Sequence, residues 1–237
     1  DEVIFARLYW SARITDITST QKENAKTLKI KGPNATTYTS YTSTNSKYNW
    51  SKSGSNFDYV ASADVTDYIS AQGAGEYYAG DIVATEGKDR YASWQLIVIV
   101  ENPARSLKNL SIYDGFKSVY QNSATADASG FITPTGTETF NANLFIYMGE
   151  SDDGYGDSVE LLNKDGVTWT SLSDGANDVD DVVNASVYSL DYTEGYRFKD
   201  SGMANPNFEN VLGVDIDKLP INIKDLTDKQ ILSNSQV

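Results

Sequence analysis

The sequence predicts an all-β protein, a jelly-roll-like β-sandwich of roughly ten short strands with one short helix. Residue types that suit a pleated sheet are abundant, including 16 Tyr, 8 Phe and 4 Trp. Short apolar and alternating segments recur along the chain, and Ser, Asn, Asp and Gly fill the gaps between them, as turns require. The strand–helix–strand rhythm of an α/β protein is missing from the pattern.

The N-terminal quarter is predicted to contain several strands. Residues 3 to 14, "VIFARLYWSARI", have apolar residues on both faces and predict a buried strand. Arg7 lies within it and must find a carboxylate or carbonyl partner if its side chain is inside. Residues 27 to 32, "TLKIKG", alternate as a half-exposed strand does. Residues 36 to 56 predict either a strand pair with a loose loop or a binding loop.

The predicted helix covers residues 62 to 73, "SADVTDYISAQG". Asp64 is suited to cap its beginning and Gly73 to end it. Residues 75 to 85 and 90 to 102 then predict strands. The second of these is the most hydrophobic stretch of the chain, so it is expected in the middle of a sheet.

Shorter apolar patterns predict the remaining strands, at residues 106 to 116, 141 to 150, 157 to 172, 184 to 190 and 195 to 200. A Lys-Asp-Gly sequence at residues 164 to 166 indicates a tight hairpin. No internal repeat and no Pro/Gly linker divides the 237 residues. We therefore expect residues 1–237 to form a single domain.

Composition excludes several functions. The net charge of −14 disfavours nucleic acid and anionic lipid, because no basic patch replaces phosphate counterions. Without His or Cys, the chain has no imidazole base, thiolate nucleophile or N/S-ligated zinc site. A metal must therefore be oxygen-ligated, as Ca²⁺ or Mg²⁺ is.

No apolar run reaches the ~20 residues needed for membrane insertion. Acidic pairs are too common here to indicate a glycosidase, so no enzyme is expected.

Residues 90 to 119 resemble a family of bacterial cell-surface proteins. The shared pattern is an aromatic-Ala-x-Trp strand, an apolar run, an acidic-x-Pro turn and a Leu-x-Asn strand that closes on Asp-Gly-Phe. The matching positions are Tyr91, Ala92, Trp94, Pro103, Leu107, Asn109, Asp114, Gly115 and Phe116. Further similar motifs cover most of the chain, at residues 6 to 13, 63 to 82, 147 to 161 and 205 to 219.

The family is a large N-terminal β-rich module, a domain of unknown function, that precedes Ig-like repeats in adhesin-like proteins. The resemblance implies an extracellular, cell-surface location and a non-enzymatic role. Members usually end with one more strand than "ILSNSQV" at residues 231 to 237 provides. We expect that strand either to be missing from this chain or to come from a partner. A further departure, Gly149-Glu150-Ser151-Asp152 in place of acidic-Gly-Asp, prevents direct transfer of a ligand set.

Two acidic loops are candidate Ca²⁺ sites, since clustered carboxylates on Gly-bearing loops supply the oxygens that Ca²⁺ requires. A solvated turn is the alternative for each. A third candidate is Asp215 with Asp217, whose spacing places both on one face of a strand. The alternative there is a salt bridge to Arg7 or Arg13. The predicted ligands in the two loops are Glu150, Asp152, Asp153, Asp157, Asp174, Asp178 and Asp180.

Several aromatic residues between 36 and 56 lie among Thr, Ser and Asn residues. They form a candidate site for a carbohydrate or protein ligand, since flat aromatic rings stack on sugars. Tyr38, Tyr41, Tyr48 and Trp50 lie in this stretch, and Tyr48 and Trp50 are the predicted ligand residues, with ordinary strand packing as the alternative. The expected function is a calcium-stabilised module of a bacterial surface adhesin or fibre. Its expected partners are other surface-protein domains or identical subunits, or a glycan. The alternatives are a lectin-like module and a self-assembling filament or surface-layer subunit that exchanges strands.

Overall fold

The computed structural model describes residues 1–119, 122–129, 142–149, 156–163, 165–173, 177–188, 214–221 and 235–236. The chain divides into two compact units. Unit 1 comprises Asp1–Lys108 and Asp114–Phe116, and unit 2 comprises Asn109–Tyr113 and Lys117–Val237. The all-β class is confirmed, because strands predominate in the described residues and the helices are few and short. The single domain stays a prediction.

Unit 1 contains seven strands in two sheets. In chain order its elements are β1 (Glu2–Thr15), α1 (Ser19–Asn24), β2 (Thr27–Lys31), β3 (Thr39–Thr42), a 3₁₀ helix (Asn45–Lys47), β4 (Tyr48–Ser53), β5 (Asn56–Asp64), α2 (Thr66–Gln72), β6 (Tyr78–Gly80) and β7 (Ala92–Glu101). The larger sheet has the order β4-β5-β1-β7 and the smaller one β3-β2-β6. All neighbouring strands in both are antiparallel.

The core of unit 1 lies between these sheets. Alternate residues of β1, including Leu8 and Trp10, are fully buried, as are Leu28 and Ile30 of β2. Each such side chain contributes about 1.5–3 kcal/mol on burial. The Trp10 indole N–H donates to the Ala25 carbonyl oxygen at 2.9 Å, so the one polar atom of this ring is satisfied in the core.

The helices differ from the prediction in two ways. The predicted helix begins later, at Thr66, because β5 continues through Asp64, whose carboxylate accepts a hydrogen bond from the Thr66 N–H at 2.9 Å. Helix α1 was not predicted. Its sequence signal is a capping box, in which Thr18 and Gln21 exchange side-chain-to-backbone hydrogen bonds.

The position of β7 is a second correction. We predicted this stretch in the middle of a sheet, but the structure places it at an edge, paired with β1 alone among the described strands. Its hydrophobicity therefore does not reflect two neighbouring strands in the sheet. Trp94 and Leu96 pack toward the core of unit 1, while Ile97 lies on the opposite face beside Arg7.

Unit 2 contains β8 (Thr125–Ala126), β9 (Ala142–Gly149), β10 (Glu160–Leu162), β11 (Trp169–Ser171), β12 (Val187–Tyr188), β13 (Val214–Ile221) and β14 (Ser235–Gln236). They form sheets of order β11-β10-β14-β8 and β12-β13-β9. The pairing of β12 with β13 is parallel. A second core gathers Val159, Leu161, Leu172, Val182, Leu219 and Ile221.

The hairpin between β10 and β11 is confirmed. The two strands are antiparallel, and Gly166 adopts φ 69°, a conformation that favours glycine. At the C-terminus, Ser235–Gln236 pair with both β10 and β8. A short pairing strand therefore exists at the end of this chain. The expectation that a partner supplies the last strand stays a prediction.

Candidate functional site

Two acidic loops of unit 2 lie side by side. The Val183 backbone N–H donates to the Asp157 carboxylate at 2.7 Å. A side-chain carbon placed on Gly156 would lie 4.0 Å from the Asp180 carbonyl oxygen. The first loop named from the sequence therefore contacts the second, through one carboxylate and the facing backbone.

Asp157 is the electrostatically perturbed residue of this pair of loops. Burial raises the pKa of its carboxyl above the usual value, and the nearby charge of Asp181 raises it further. The N–H groups of Val183 and Val182 act in the opposite direction without reversing the shift. A cation beside Asp157 would offset both the burial and the repulsion. The sequence argument chose Asp178 and Asp180 as ligands, yet Asp181 is the residue whose charge reaches Asp157.

The other predicted ligands are placed differently. Asp178 and Asp180 are exposed on a turn in which the Asp181 N–H donates to the Asp178 carbonyl at 3.2 Å. Within the described ranges, no three acidic side chains form a group that would hold a metal ion. The calcium assignment stays a prediction. Its remaining residues lie outside the described ranges and are Glu150, Asp152, Asp153 and Asp174.

The third candidate, on β13, is a buried polar cluster. Asp215 is fully buried and accepts hydrogen bonds from the backbone N–H groups of Ala185, at 3.1 Å, and Ser186, at 3.0 Å. The Ser186 hydroxyl lies 3.1 Å from Asn177 Oδ1 and 3.5 Å from Asp217 Oδ1. Asp215 therefore anchors the turn at Ala185, whose φ of 59° is rare for a residue other than glycine.

The arginines proposed as partners for Asp215 and Asp217 pair elsewhere. Arg13 Nε lies 2.7 Å from Asp58 Oδ1, and Arg7 pairs with Asp114. Asp114 also accepts hydrogen bonds from the Tyr9 hydroxyl and from Lys47 Nζ, the latter at 2.7 Å. Burial acts to raise the pKa of Asp114, but the hydrogen bonds from Lys47 and Tyr9 and the charge of Arg7 outweigh it and lower the pKa.

The two predicted ligand-binding aromatics pack against unit 1. Tyr48 is only 7% exposed, and its ring contacts that of Tyr59 at 5.9 Å. Trp50 is 46% exposed, but one ring face stacks on Phe57 at 5.1 Å and Lys22 Nζ lies 3.5 Å from the ring centroid. Tyr48 is therefore a core residue, while Trp50 keeps an exposed surface, and the ligand assignment stays a prediction.

A pocket in unit 2 has a volume of about 190 Å³. Its walls include Leu161, Thr170, Leu172 and Pro220, and none of its lining side chains is titratable. Ligand pockets usually begin at about 300 Å³. This pocket offers neither the room for a drug-sized ligand nor a group for acid–base chemistry.

β7 is an apolar edge strand of the larger sheet of unit 1. No residue from Ala92 to Val100 is charged, and Val98 and Val100 are 38% and 47% exposed. Natural edge strands are usually short or protected by charges or prolines. The other edges of unit 1 follow that rule, since β4 carries Lys52 and β3 and β6 have four and three residues.

Comparison with known proteins adds no relative, because no family model, curated protein or solved structure matches this chain. In the part of the chain that the structure describes, no helix has the length and apolar character needed to cross a membrane.

Proposed function

We propose that this chain is a non-enzymatic structural module of a bacterial surface adhesin or fibre, in which copies associate by pairing their β7 strands. The observation that carries the proposal is the outer edge of β7, which is uncharged over the nine residues from Ala92 to Val100. Among the described strands β7 pairs with β1 alone, and the outer edge of such a strand presents N–H and C=O groups that another extended strand can satisfy. The motif resemblance to bacterial surface modules independently supports the same setting.

A two-fold arrangement fits the residues of β7. In an antiparallel pair centred on Leu96, Trp94 of one copy lies opposite Val98 of the other, because directly opposed residues share a face. Val98 is then covered by an aromatic ring. No like charges are opposed along the strand, since the only charged residue, Glu101, lies beyond the paired segment. The net charge of −14 still repels the two copies at long range, and salt screens this repulsion.

Calcium is the second part of the proposal. An ion beside Asp157 and Asp181 would make the approach of two carboxylates favourable and fix the loops that contain Val183 and Gly156. The contact between these loops supports it, as does the raised pKa of Asp157. Residues named from the sequence, Glu150 and Asp153 among them, would complete the oxygen ligands.

The experiment compares Val98→Lys with the matched variant Val167→Lys. Both positions are exposed valines, at 38% and 78%, but Val167 lies in the turn between β10 and β11. Light scattering and electron microscopy over a concentration series would report assembly of the full chain. We expect the wild type and Val167→Lys to associate and Val98→Lys to stay monomeric. A wild type that is monomeric throughout, or a Val98→Lys variant that assembles equally, would contradict the proposal.

A further inference from the structure

A cross-strand row of one lysine and two tyrosines lies on the outer face of the smaller sheet of unit 1. Lys31 of β2 is directly opposite Tyr78 of β6. On its other side, the pairing of Ile30 with Thr39 places Tyr38 opposite Lys31. Tyr38 and Tyr78 are 45% and 47% exposed, and their backbones are about 10 Å apart across two strand spacings.

The ammonium group lies between the two rings. Lys31 Nζ is 4.7 Å from the Tyr78 ring centroid and 5.6 Å from that of Tyr38. Within the described residues, Lys31 makes no ion pair with a carboxylate, whereas its neighbour Lys29 pairs with Asp81 at 2.6 Å. The row therefore presents a cation held by ring faces, with its N–H donors left for water or a ligand.

This arrangement differs from the lysine–aromatic contact at Trp50. There Phe57 covers one ring face and Lys22 lies directly on the indole. Neither Tyr38 nor Tyr78 stacks on another ring in the described part of the chain, and Lys31 lies farther from each centroid. Tyr38, one of the four aromatic residues named from the sequence, therefore belongs to this row together with Tyr78, which the sequence argument did not name.

A glycine leaves space beside the Tyr38 ring, because it has no side chain. Gly80 of β6 follows Tyr78 by two residues and lies on the same face. A side-chain carbon at Gly80 would lie 3.8 Å from Tyr38 Cε1 and would occupy the space next to the ring. The Tyr78 hydroxyl donates to Glu76 Oε2 at 2.7 Å, which limits the movement of the second ring.

We propose that the row of Tyr38, Lys31 and Tyr78 binds an acidic glycan, a pyranose chain that carries carboxylates. Pyranose rings present flat C–H faces that stack on tyrosine rings, and a carboxylate between two stacked sugars pairs with the ammonium group of Lys31. A neutral glycan leaves the ammonium group without its counterion. The chain has a net charge of −14 and Glu76 accepts a hydrogen bond from the Tyr78 hydroxyl, so an anionic ligand would pair with the ammonium group of Lys31 in this row.

The test measures binding of the full chain to polygalacturonate oligomers by calorimetry, in EDTA so that bridging by calcium does not contribute. The comparison ligand is the fully methyl-esterified form, which retains the sugar rings and loses the charge. We expect the wild type to bind the acid form and to bind the ester at least about tenfold more weakly, a difference of about 1.4 kcal/mol.

Four variants at three positions assign the site. Lys31→Gln and Tyr78→Ala should each weaken binding about fivefold to tenfold, while Tyr78→Phe should retain it because the ring remains. Lys22→Gln, which removes the same charge from the contact at Trp50, should bind as the wild type does. The absence of binding by the wild type, equal binding of acid and ester, or equal losses for Lys31→Gln and Lys22→Gln would overturn the proposal.

Discussion

The Val183 N–H and the Asp157 carboxylate, 2.7 Å apart, join the two acidic loops of unit 2. The hydrogen bond holds Asp157 where it is buried and close to Asp181, and both effects raise its pKa. A carboxylate in this position is a destabilising charge when no cation is present, and a ligand when one is. Its response to calcium and pH can therefore be predicted with a definite sign.

The variant Asp157→Asn tests whether the charge of Asp157 destabilises the protein without calcium and binds calcium when the ion is present. The Asn side chain still accepts the hydrogen bond from Val183 but carries no charge, so in EDTA the variant should be at least as stable as the wild type. Millimolar Ca²⁺ should raise the Tm of the wild type by about 2–4 °C per kcal/mol of binding free energy and leave that of Asp157→Asn unchanged. Equal shifts in both proteins, or none in the wild type, would remove the calcium site.

The pH dependence in EDTA follows from the same shift. Because the folded pKa of Asp157 lies above the unfolded value of 3.8, the folded state binds more protons between the two values. The contribution of Asp157 to stability is thus lost as pH rises from 3.8 through the folded pKa. Asp157→Asn should show a flatter curve there in thermal melts, and exposed Glu86→Gln should not. Parallel curves for all three proteins would contradict this.

Asp114→Ala should be costly because three side chains lose one acceptor. Arg7 and Asp114 have side chains only 19% and 17% exposed, and no described group accepts a hydrogen bond from Arg7 Nε. We expect the free energy of unfolding, measured in urea, to fall by about 2–4 kcal/mol. The control is Glu23→Ala, which breaks the exposed Glu23–Lys26 pair and should cost less than about 1 kcal/mol. Similar losses would refute the anchoring role of Asp114.

Two tyrosine-to-phenylalanine substitutions should have opposite signs. The Tyr48 hydroxyl is buried and has no hydrogen-bond partner among the described residues, so Tyr48→Phe should leave stability unchanged or raise it by about 1 kcal/mol at pH 7. Tyr9→Phe removes a hydrogen bond to Asp114 and should lower stability by about 1–2 kcal/mol. Urea denaturation of both variants measures the difference, and a loss in Tyr48→Phe would show that its hydroxyl is satisfied.

The dependence of stability on alkaline pH provides a second measurement for Tyr48. Burial, with a smaller effect of Glu23, raises its pKa from 10.0 to about 12. The unfolded state therefore loses its proton first, and stability falls as pH rises from 10.0 toward about 12. Tyr48→Phe should lose stability less steeply over that range. An unchanged slope would place the alkaline transition on other tyrosines.

Local patterns were sufficient to predict part of this structure. The alternation in β2 and the Lys-Asp-Gly hairpin needed only side-chain periodicity and turn geometry. The edge position of β7 could not be predicted, because hydrophobicity reports burial of side chains and not the number of hydrogen-bonded neighbours. Tyr48 and Trp50 share a face of β4, yet only the first is buried, since this depends on where the core ends.

The partners of the polar residues were harder still to predict from the sequence. Arg7 was expected to need a carboxylate, and its partner lies 107 residues away in a segment without regular structure. The acceptor role of Asp215 depends on the left-handed turn at Ala185, for which the sequence "NASV" carries no glycine signal. The acidic loops were recognised from charge density alone, which could not identify Asp181 as the neighbour of Asp157.

Amide hydrogen exchange of β7 at low and high protein concentration tests the central claim most directly. If copies pair through this edge, the β7 amides that point away from β1 should exchange rapidly in dilute solution and become protected as the concentration rises. In Val98→Lys they should exchange rapidly at every concentration. Exchange of these amides that does not depend on concentration, or protection that develops in other strands instead, would contradict assembly through β7.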